Sequence, residues 1–304
     1  MNRHVVAGLV PAYDPPAGLV DLVADLMAQT GAVVVVDDGS SAPGATEVLD
    51  RCARLGAVVI RLPTNAGIAA ALNHAVSQAI STWPDLDAVV TVDQDSRLGE
   101  RYVERLLTAW DAALAVGVAV MLVGPEHVQG LPSRVRGRRG DVLLGREPVQ
   151  SGLLIPTAVL AGVGPFDETL VIDGVDTDFS LRCLDTGGVV VVAADTSIGH
   201  RLGAGHEVRL LGRPVVVGGR PLVLTVSAPF RYYYLTRNRL RLVRRYARRH
   251  PGWAVGQLLG LGRHLALVLT LVPGRRRRAR EAWHGVRDGV RDVGGRRPDS
   301  DGGL

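Results

Sequence analysis

Ala32-Val33-Val34-Val35-Val36-Asp37-Asp38-Gly39-Ser40-Ser41 is an apolar run that stops abruptly at two carboxylates and a glycine. An unbroken β-branched run reads as a strand buried on both faces, because a half-solvated strand would alternate. Neighbouring segments share the texture. His4 to Val10 ends at Pro11-Ala12-Tyr13, Val58 to Leu62 ends at Pro63-Thr64-Asn65, and Ala88 to Val92 runs straight into Asp93-Gln94-Asp95-Ser96. Leu19–Gln29, Thr46–Leu55 and Ile68–Ile80 lie between them with helical spacing, and Arg101–Ala113 follows as another helix. This alternation predicts an α/β fold with a mostly parallel central sheet flanked by helices. Ligands sit beyond the carboxyl ends of strands in such sheets. Asp37-Asp38, Asn65-Ala66-Gly67 and Asp93-Gln94-Asp95 are therefore expected to converge on one rim.

The whole chain has 304 residues, 47% hydrophobic and 21% charged, enough for one large α/β domain with an appendage or for two small domains. Its 35 basic residues are all Arg, and the formal net charge is +5. Arg crowds into 134–139, 237–249 and 275–297, and such clusters suit phosphates, nucleic acid or anionic lipid. Few aromatics interleave with them outside 230–234 and no recognition-helix motif accompanies them, which argues against nucleic acid. Cys52 and Cys183 lack metal-site spacing and read as buried free thiols. Pro11, Pro15 and Pro16 interrupt the N-terminal apolar run too early for a signal peptide, so a cytoplasmic location is expected.

Beyond residue 130 the texture changes. Gly130–Gly140 reads as a loop, Val149–Pro156 as a short strand, Asp176–Asp185 as a helix, Val189–Ala193 as a strand and His200–His206 as a Gly-rich loop. Phe230–Arg248 reads as a basic helix and Ala254–Val272 is the most apolar stretch. The expected organisation is a domain over 1–228, basic and apolar helices over 229–290, and a disordered tail over 291–304.

Asp93 and Asp95, two apart at the end of a buried strand, suit a hard divalent ion such as Mg²⁺ or Mn²⁺ that shares its shell with phosphate oxygens. Solvated loop carboxylates would give the same pattern, but the second acidic pair at Asp37-Asp38 favours a site. A carboxylate after the second strand can also bind ribose or a base edge. The first strand is followed by no GxGxxG and the chain has no GxxxxGK[ST], which disfavours nicotinamide enzymes and P-loop nucleotidases.

Taken in order, Pro11-Ala12-Tyr13, Val36-Asp37-Asp38-Gly39-Ser40, Asn65-Ala66-Gly67-Ile68-Ala69 with Ala71-Leu72-Asn73, and Asp93-Gln94-Asp95-Ser96 resemble the family 2 glycosyltransferases of the GT-A fold. Ser151-Gly152-Leu153, Gly164-Pro165-Phe166-Asp167-Glu168, Ile172-Asp173-Gly174-Val175-Asp176-Thr177-Asp178, His200-Arg201 and Tyr232 to Asn238 resemble the bacterial rhamnosyltransferase branch. The resemblance covers residues 5 to 240. It implies inverting transfer from a nucleoside diphosphate sugar, dTDP-L-rhamnose in that branch, to a cell-envelope glycan or lipid-linked acceptor. A hexose or galactofuranose nucleotide as donor, and an inactive nucleotide-sugar-binding module, stay open beside it.

The resemblance also implies roles. Asp37 and Asp38 would contact the nucleoside, and Pro11, Ala12 and Tyr13 would line the base pocket. Asn65, Gly67 and Ala69 would shape the nucleotide wall, with Gln94 and Arg237 also on the donor side. Asp93 and Asp95 would hold the divalent metal, His200 completing its shell, and Asp176 would be the catalytic base. Asp178 would stabilise its helix. Many members read Asn-x-Gly where this chain has Asn73-His74-Ala75, and a side chain at His74 weakens the wall assignment.

Leu258 to Val272 is interrupted by Arg263 and His264 and is followed by Arg275–Arg278. It reads as a helix lying on the core or on a membrane surface, with peripheral contact to an anionic leaflet. Nothing in the sequence sets an oligomeric state.

Overall fold

A computed structural model of the chain describes residues 4–146, 148–199, 204–210, 213–221 and 223–297. The chain divides into two compact units, one of Met1–Val171 with Val175–His200 and the other of Ile172–Gly174 with Arg201–Leu304.

The first unit is built on one sheet. Its strands are β1 (Val6–Ala12), β2 (Val33–Asp37), β3 (Val58–Arg61), β4 (Ala88–Thr91), β5 (Arg97–Leu98), β6 (Val120–Val128), β7 (Leu131–Pro132), β8 (Val135–Arg139), β9 (Val142–Gly145), β10 (Leu153–Pro156) and β11 (Val189–Gly199). The order is β3-β2-β1-β4-β10-β6-β11-β9-β8, with β5 on β11 and β7 on β6. β1 to β4 are mutually parallel, β6 and β11 are parallel, and β10 runs antiparallel between β4 and β6. The Val-rich runs of β1, β2 and β4 are buried throughout, as strands covered on both faces must be.

The intervening helices are α1 (Leu19–Thr30), α2 (Ala45–Arg54), α3 (Ile68–Thr82) and α4 (Tyr102–Ala115). α1 buries Leu19, Val20, Leu22, Val23 and Leu26, the stripe its periodicity predicts. Later come α5 (Thr157–Val163), a 3₁₀ turn at Glu168–Leu170 and α6 (Val175–Asp185). Cys52 and Cys183 are buried free thiols, and burial pushes the latter up to about 12.

Two expectations change here. Residues 130–140 are not a loop: β8 pairs antiparallel with β9 through a two-residue turn that places Arg139 opposite Val142. Its Val-Arg-Gly-Arg-Arg sequence is almost wholly exposed, so this edge strand carries no apolar alternation to betray it. β11 continues past Ala193 to Gly199, because after an irregularity Ser197 and Ile198 rejoin β6 and Ile198 and Gly199 pair with β5.

The second unit contains an antiparallel pair, Ala204–Glu207 with Val223–Val226, and two short hairpins between them. Helices α7 (Arg231–Tyr246), α8 (Pro251–Leu271) and α9 (Arg275–Val290) follow. α7 and α9 approach closely at Gly285 and Gly289, where a Cβ would lie 2.4 Å from the Tyr233 carbonyl oxygen and 2.9 Å from that of Arg237. The unit boundary thus falls near residue 200, not 228, since strands 204–226 group with the helices that follow. Residues 291–297 are not a loose tail either. Asp292 pairs with Arg241 at 2.7 Å, Arg297 with Glu281, and the Gly295 carbonyl accepts from Arg237.

Candidate functional site

Parallel pairing puts the ends of β1, β2 and β4 side by side. Ala12 is in register with Asp37, and Leu9 with Thr91 two residues before Asp93. The segments that leave these strands are cross-linked by their own side chains. Gln94 clamps the backbone of Tyr13 in both directions: Tyr13 N donates to Oε1 at 2.9 Å, and Nε2 donates to the Tyr13 carbonyl at 2.9 Å. Asp14 N donates to Ser40 Oγ, while Asp14 Oδ1 accepts from Ser41 N and Ala42 N at 2.9 and 2.8 Å. The rim expected from the sequence therefore forms.

The two carboxylates at the end of β2, Asp37 and Asp38, are turned inward, each 5% exposed. Asp37 Oδ1 accepts from Ser40 N at 3.0 Å and from the Ser40 hydroxyl, which closes the turn. Asp38 reaches across to the loop before α3, where Oδ1 accepts from Ala66 N at 2.7 Å and Oδ2 from Gly67 N at 2.8 Å. Charge-assisted bonds of this kind are about twice as strong as neutral ones, so Asp38 fixes the Asn65–Gly67 wall. Gly67 is required there: its φ is +100°, and a Cβ would sit 2.6 Å from the Val171 carbonyl oxygen. That carbonyl also accepts from Ile68 N at 2.9 Å, and Val171 itself has φ +64° and ψ −64°, a strained turn for a β-branched residue.

Asn65 is half-buried on this wall. Ala12 and Ala69, at 2% and 0% exposure, lie beneath the surface with Pro11, where they shape the rim without presenting side chains to it. Asn73 exchanges bonds with the Phe166 backbone, accepting from its N at 2.9 Å and donating to its O at 3.0 Å. This ties α3 to the segment that leads to Asp176. His74 points to solvent from α3, so the departure there does not intrude on the wall.

Asp93 is half-buried and Asp95 exposed at the mouth of β4. Asp93 N donates to Ser151 Oγ at 3.0 Å, and Ser151 and Ser96 share a hydrogen bond of 2.7 Å. Gly152 N donates to the Thr91 carbonyl at 2.7 Å and the Gly152 carbonyl accepts from the Tyr102 hydroxyl at 2.6 Å, a phenol whose pKa burial pushes up. Among the described residues no three His, Cys, Asp or Glu side chains form a metal cluster. Two carboxylates at a strand end fit an ion of the Mg²⁺ kind, which keeps waters and phosphate oxygens in its shell. His200 lies outside the described residues.

Asp176 sits half-buried in the first turn of α6, its Oδ1 accepting from Thr177 N at 2.7 Å. Asp178, two residues on, is fully buried and pairs with Arg182 at 2.9 Å, and Arg182 donates to the Val163 and Pro165 carbonyls. Two carboxylates two residues apart thus separate, one to the rim of its helix and one to the core.

Arg237 belongs to the second unit and has no exposed surface. Its guanidinium donates to Asn238 Oδ1 and the Gly295 carbonyl and lies over Tyr233 and Tyr234 at 5.2 and 4.9 Å. Asn238 in turn donates to the Ile172 and Asp173 carbonyls.

No positioning role was expected of Asp14, Asn73, Ser96 or Ser151, although the last three stand inside the quoted motifs. Asp14, Ser96 and Ser151 stand in loops beside strand ends and Asn73 in the second turn of α3, where small polar residues are common, so the pattern alone gave no reason to pair them.

Residues 9–149 match the family model described as glycosyl transferase family 2. The dTDP-rhamnosyl transferase RfbF of Shigella flexneri is 28% identical over 258 residues, covering 81% of each chain. A crystal structure of S. aureus TarS aligns with a TM-score of 0.53 at 15% identity, over 91% of this chain and 42% of that one. The chain thus spans less than half of that solved chain. S. aureus TarS 1-349 in complex with UDP gives 0.52 at 16% identity, over 94% and 90%. At these identities the likeness concerns the fold.

Proposed function

We propose that the chain, whose residues 9–149 match the glycosyl transferase family 2 model, transfers a sugar, L-rhamnose from dTDP-L-rhamnose, to a hydroxyl of a glycan or lipid-linked acceptor with inversion. The observation that carries the reading is the rim where Tyr13, Asp37–Asp38, Asn65–Gly67 and Asp93–Asp95 meet, cross-linked by Gln94 and Asp38. The dTDP-rhamnosyl relative supports the choice of donor.

In this reading Tyr13, held by Gln94, and the Asn65–Gly67 wall, held by Asp38, bound the nucleoside. Asp93 and Asp95 would hold a divalent ion, Mg²⁺ or Mn²⁺, which would supply charge stabilisation for the diphosphate leaving group. Asp176 takes the proton of the acceptor hydroxyl as that oxygen bonds to the anomeric carbon. The bond from that carbon to the diphosphate breaks, and the nucleoside diphosphate leaves with the electron pair. We assign Arg237 to the framework of the second unit and not to the donor, because its guanidinium is engaged and buried. A cytoplasmic location belongs to the same proposal.

The test is nucleoside diphosphate release from a panel of donors with membrane-extract acceptors, with metal or chelator, for wild type and Asp176→Asn. Metal-dependent release from dTDP-L-rhamnose, with kcat lowered about 10²–10⁴-fold in the variant at unchanged thermal stability, is expected. Preference for a hexose nucleotide would overturn the donor assignment, and release indifferent to the substitution would remove Asp176 as base. Tight nucleotide binding with no turnover on any acceptor would make the chain a binding module.

A further inference from the structure

The second unit leaves two helical faces bare, and their chemistry matches. α8 is 21 residues long, carries no Asp or Glu, and is apolar enough to cross a membrane by composition, yet only 11% of its most apolar window is buried. One side of it is docked. Ala254 and Val268 are buried, Trp253 meets Tyr246 edge-on at 6.3 Å, and His264 stacks on Tyr232 at 5.8 Å. The remaining surface shows Val255, Leu258 and Leu259 at 57, 42 and 69% exposure.

α9 follows after Pro273 and Gly274 and opens with four arginines, Arg275–Arg278. Its inner face is fixed by Ala282, Gly285 and Gly289, all buried, and by Asp288, which accepts from the Tyr233 hydroxyl at 2.9 Å. The outer face follows from that. Arg276, Arg280, Trp283, Arg287 and Val290 recur at steps of four and three, which is one stripe of a helix, and all five are exposed, Trp283 at 68%. Both acids of α9 are engaged, Glu281 by Arg297 and Asp288 by Arg287 and Tyr233. The exposed stripe is therefore arginine, tryptophan and aliphatic side chain with no carboxylate in it.

We propose that α8 and α9 form a docking surface for an anionic lipid bilayer, on which the second unit lies without crossing it. Arginine supplies the attraction to acidic headgroups, the exposed leucines and valine enter the acyl boundary, and Trp283 sits at the headgroup level, where its amphipathic ring is at home. A spanning α8 is disfavoured on two grounds. One of its faces is packed on Tyr232 and Tyr246, and Arg263 stands near its middle, where a bilayer core resists charge most. This proposal does not rest on the glycosyltransferase reading, and its test needs no donor.

The experiment is co-sedimentation of the full chain with vesicles of phosphatidylcholine alone or with 30% phosphatidylglycerol. Wild type is compared with Arg275→Gln/Arg276→Gln/Arg277→Gln/Arg280→Gln and with Leu258→Ser/Leu259→Ser. Each arginine near an acidic surface is worth about fivefold in partitioning, so the quadruple variant should lose about a hundredfold or more on acidic vesicles. The leucine variant should weaken on them too, and salt should release the wild type. Fluorescence of Trp283, isolated by comparison with Trp283→Phe, should shift to the blue on acidic vesicles. Equal binding to neutral and acidic vesicles, or binding unmoved by the arginine changes, would overturn the proposal. So would protein that resists salt and needs detergent for release, which means a span. A dimer dissolved by the leucine changes, with no vesicle binding, would make the face a contact between copies. The altered residues are exposed, and unchanged circular dichroism confirms that each variant folds.

Discussion

Asp38→Asn separates two jobs that one carboxylate could have. The structure gives Asp38 two backbone donors, Ala66 N at 2.7 Å and Gly67 N at 2.8 Å, at 5% exposure. Asparagine has the same shape and opens no cavity, but it offers one acceptor oxygen. One N–H must then face an amide NH₂. Losing a bond to a charged group costs about 1.5–3 kcal/mol, and turning the other into a neutral bond costs about 1 kcal/mol more. The sum is about 3 kcal/mol, which for a unit of this size moves Tm down by about 6–12 °C. The stranded donor cannot turn away, because Gly67 is wedged against Val171. Guanidinium unfolding should show a lower midpoint at unchanged slope, and nucleotide affinity should fall as a consequence of a loosened wall. A variant as stable as wild type that has lost nucleotide binding would refute the reasoning and make Asp38 a direct ligand of the nucleoside.

Gln94→Glu keeps the acceptor for Tyr13 N but sets a carboxylate oxygen against the Tyr13 carbonyl; donor KM should rise more than kcat falls, and the reverse split would place Gln94 on the reacting groups. Gly152→Ala requires a Cβ at φ +82° and 2.3 Å from the Tyr102 hydroxyl; backbone strain and overpacking together should cost about 2–5 kcal/mol, and a thermal melt within 1 °C of wild type would contradict the close approach. Burial first, and then the charge of Arg239, hold the His264 imidazole below its ordinary value. As pH falls the unfolded chain takes up this proton first, so stability is full above about pH 6.5 and declines from there down through the folded-state pKa. Unfolding midpoints between pH 8 and 5 should fall less steeply for His264→Gln, and equal slopes would remove His264 as the source.

The sequence by itself determined the class of fold and the rim. Continuous valine runs in β1, β2 and β4 can be stable only when covered on both faces, and parallel strands bring their carboxyl ends together, so Asp37, Asn65 and Asp93 had to meet. It did not determine what each acid does there. Asp37 and Asp38 read alike in a row of letters, yet one closes its own turn and the other braces a loop 28 residues away, because donor positions depend on how β2 and α3 pack. Asp176 and Asp178 divide for the same reason, helix rotation leaving one half-buried beside Thr177 and carrying the other into a buried pair with Arg182. β8 escaped the sequence because an exposed edge strand has no buried face to pattern. Arg237 reads from sequence as one more cation near phosphate, and the packing of α7 against α9 turns its guanidinium to Tyr233, Tyr234 and the Gly295 carbonyl. Periodicity and burial are local averages that letters carry, whereas hydrogen-bond partners are set by atoms that only the folded chain brings within 3 Å.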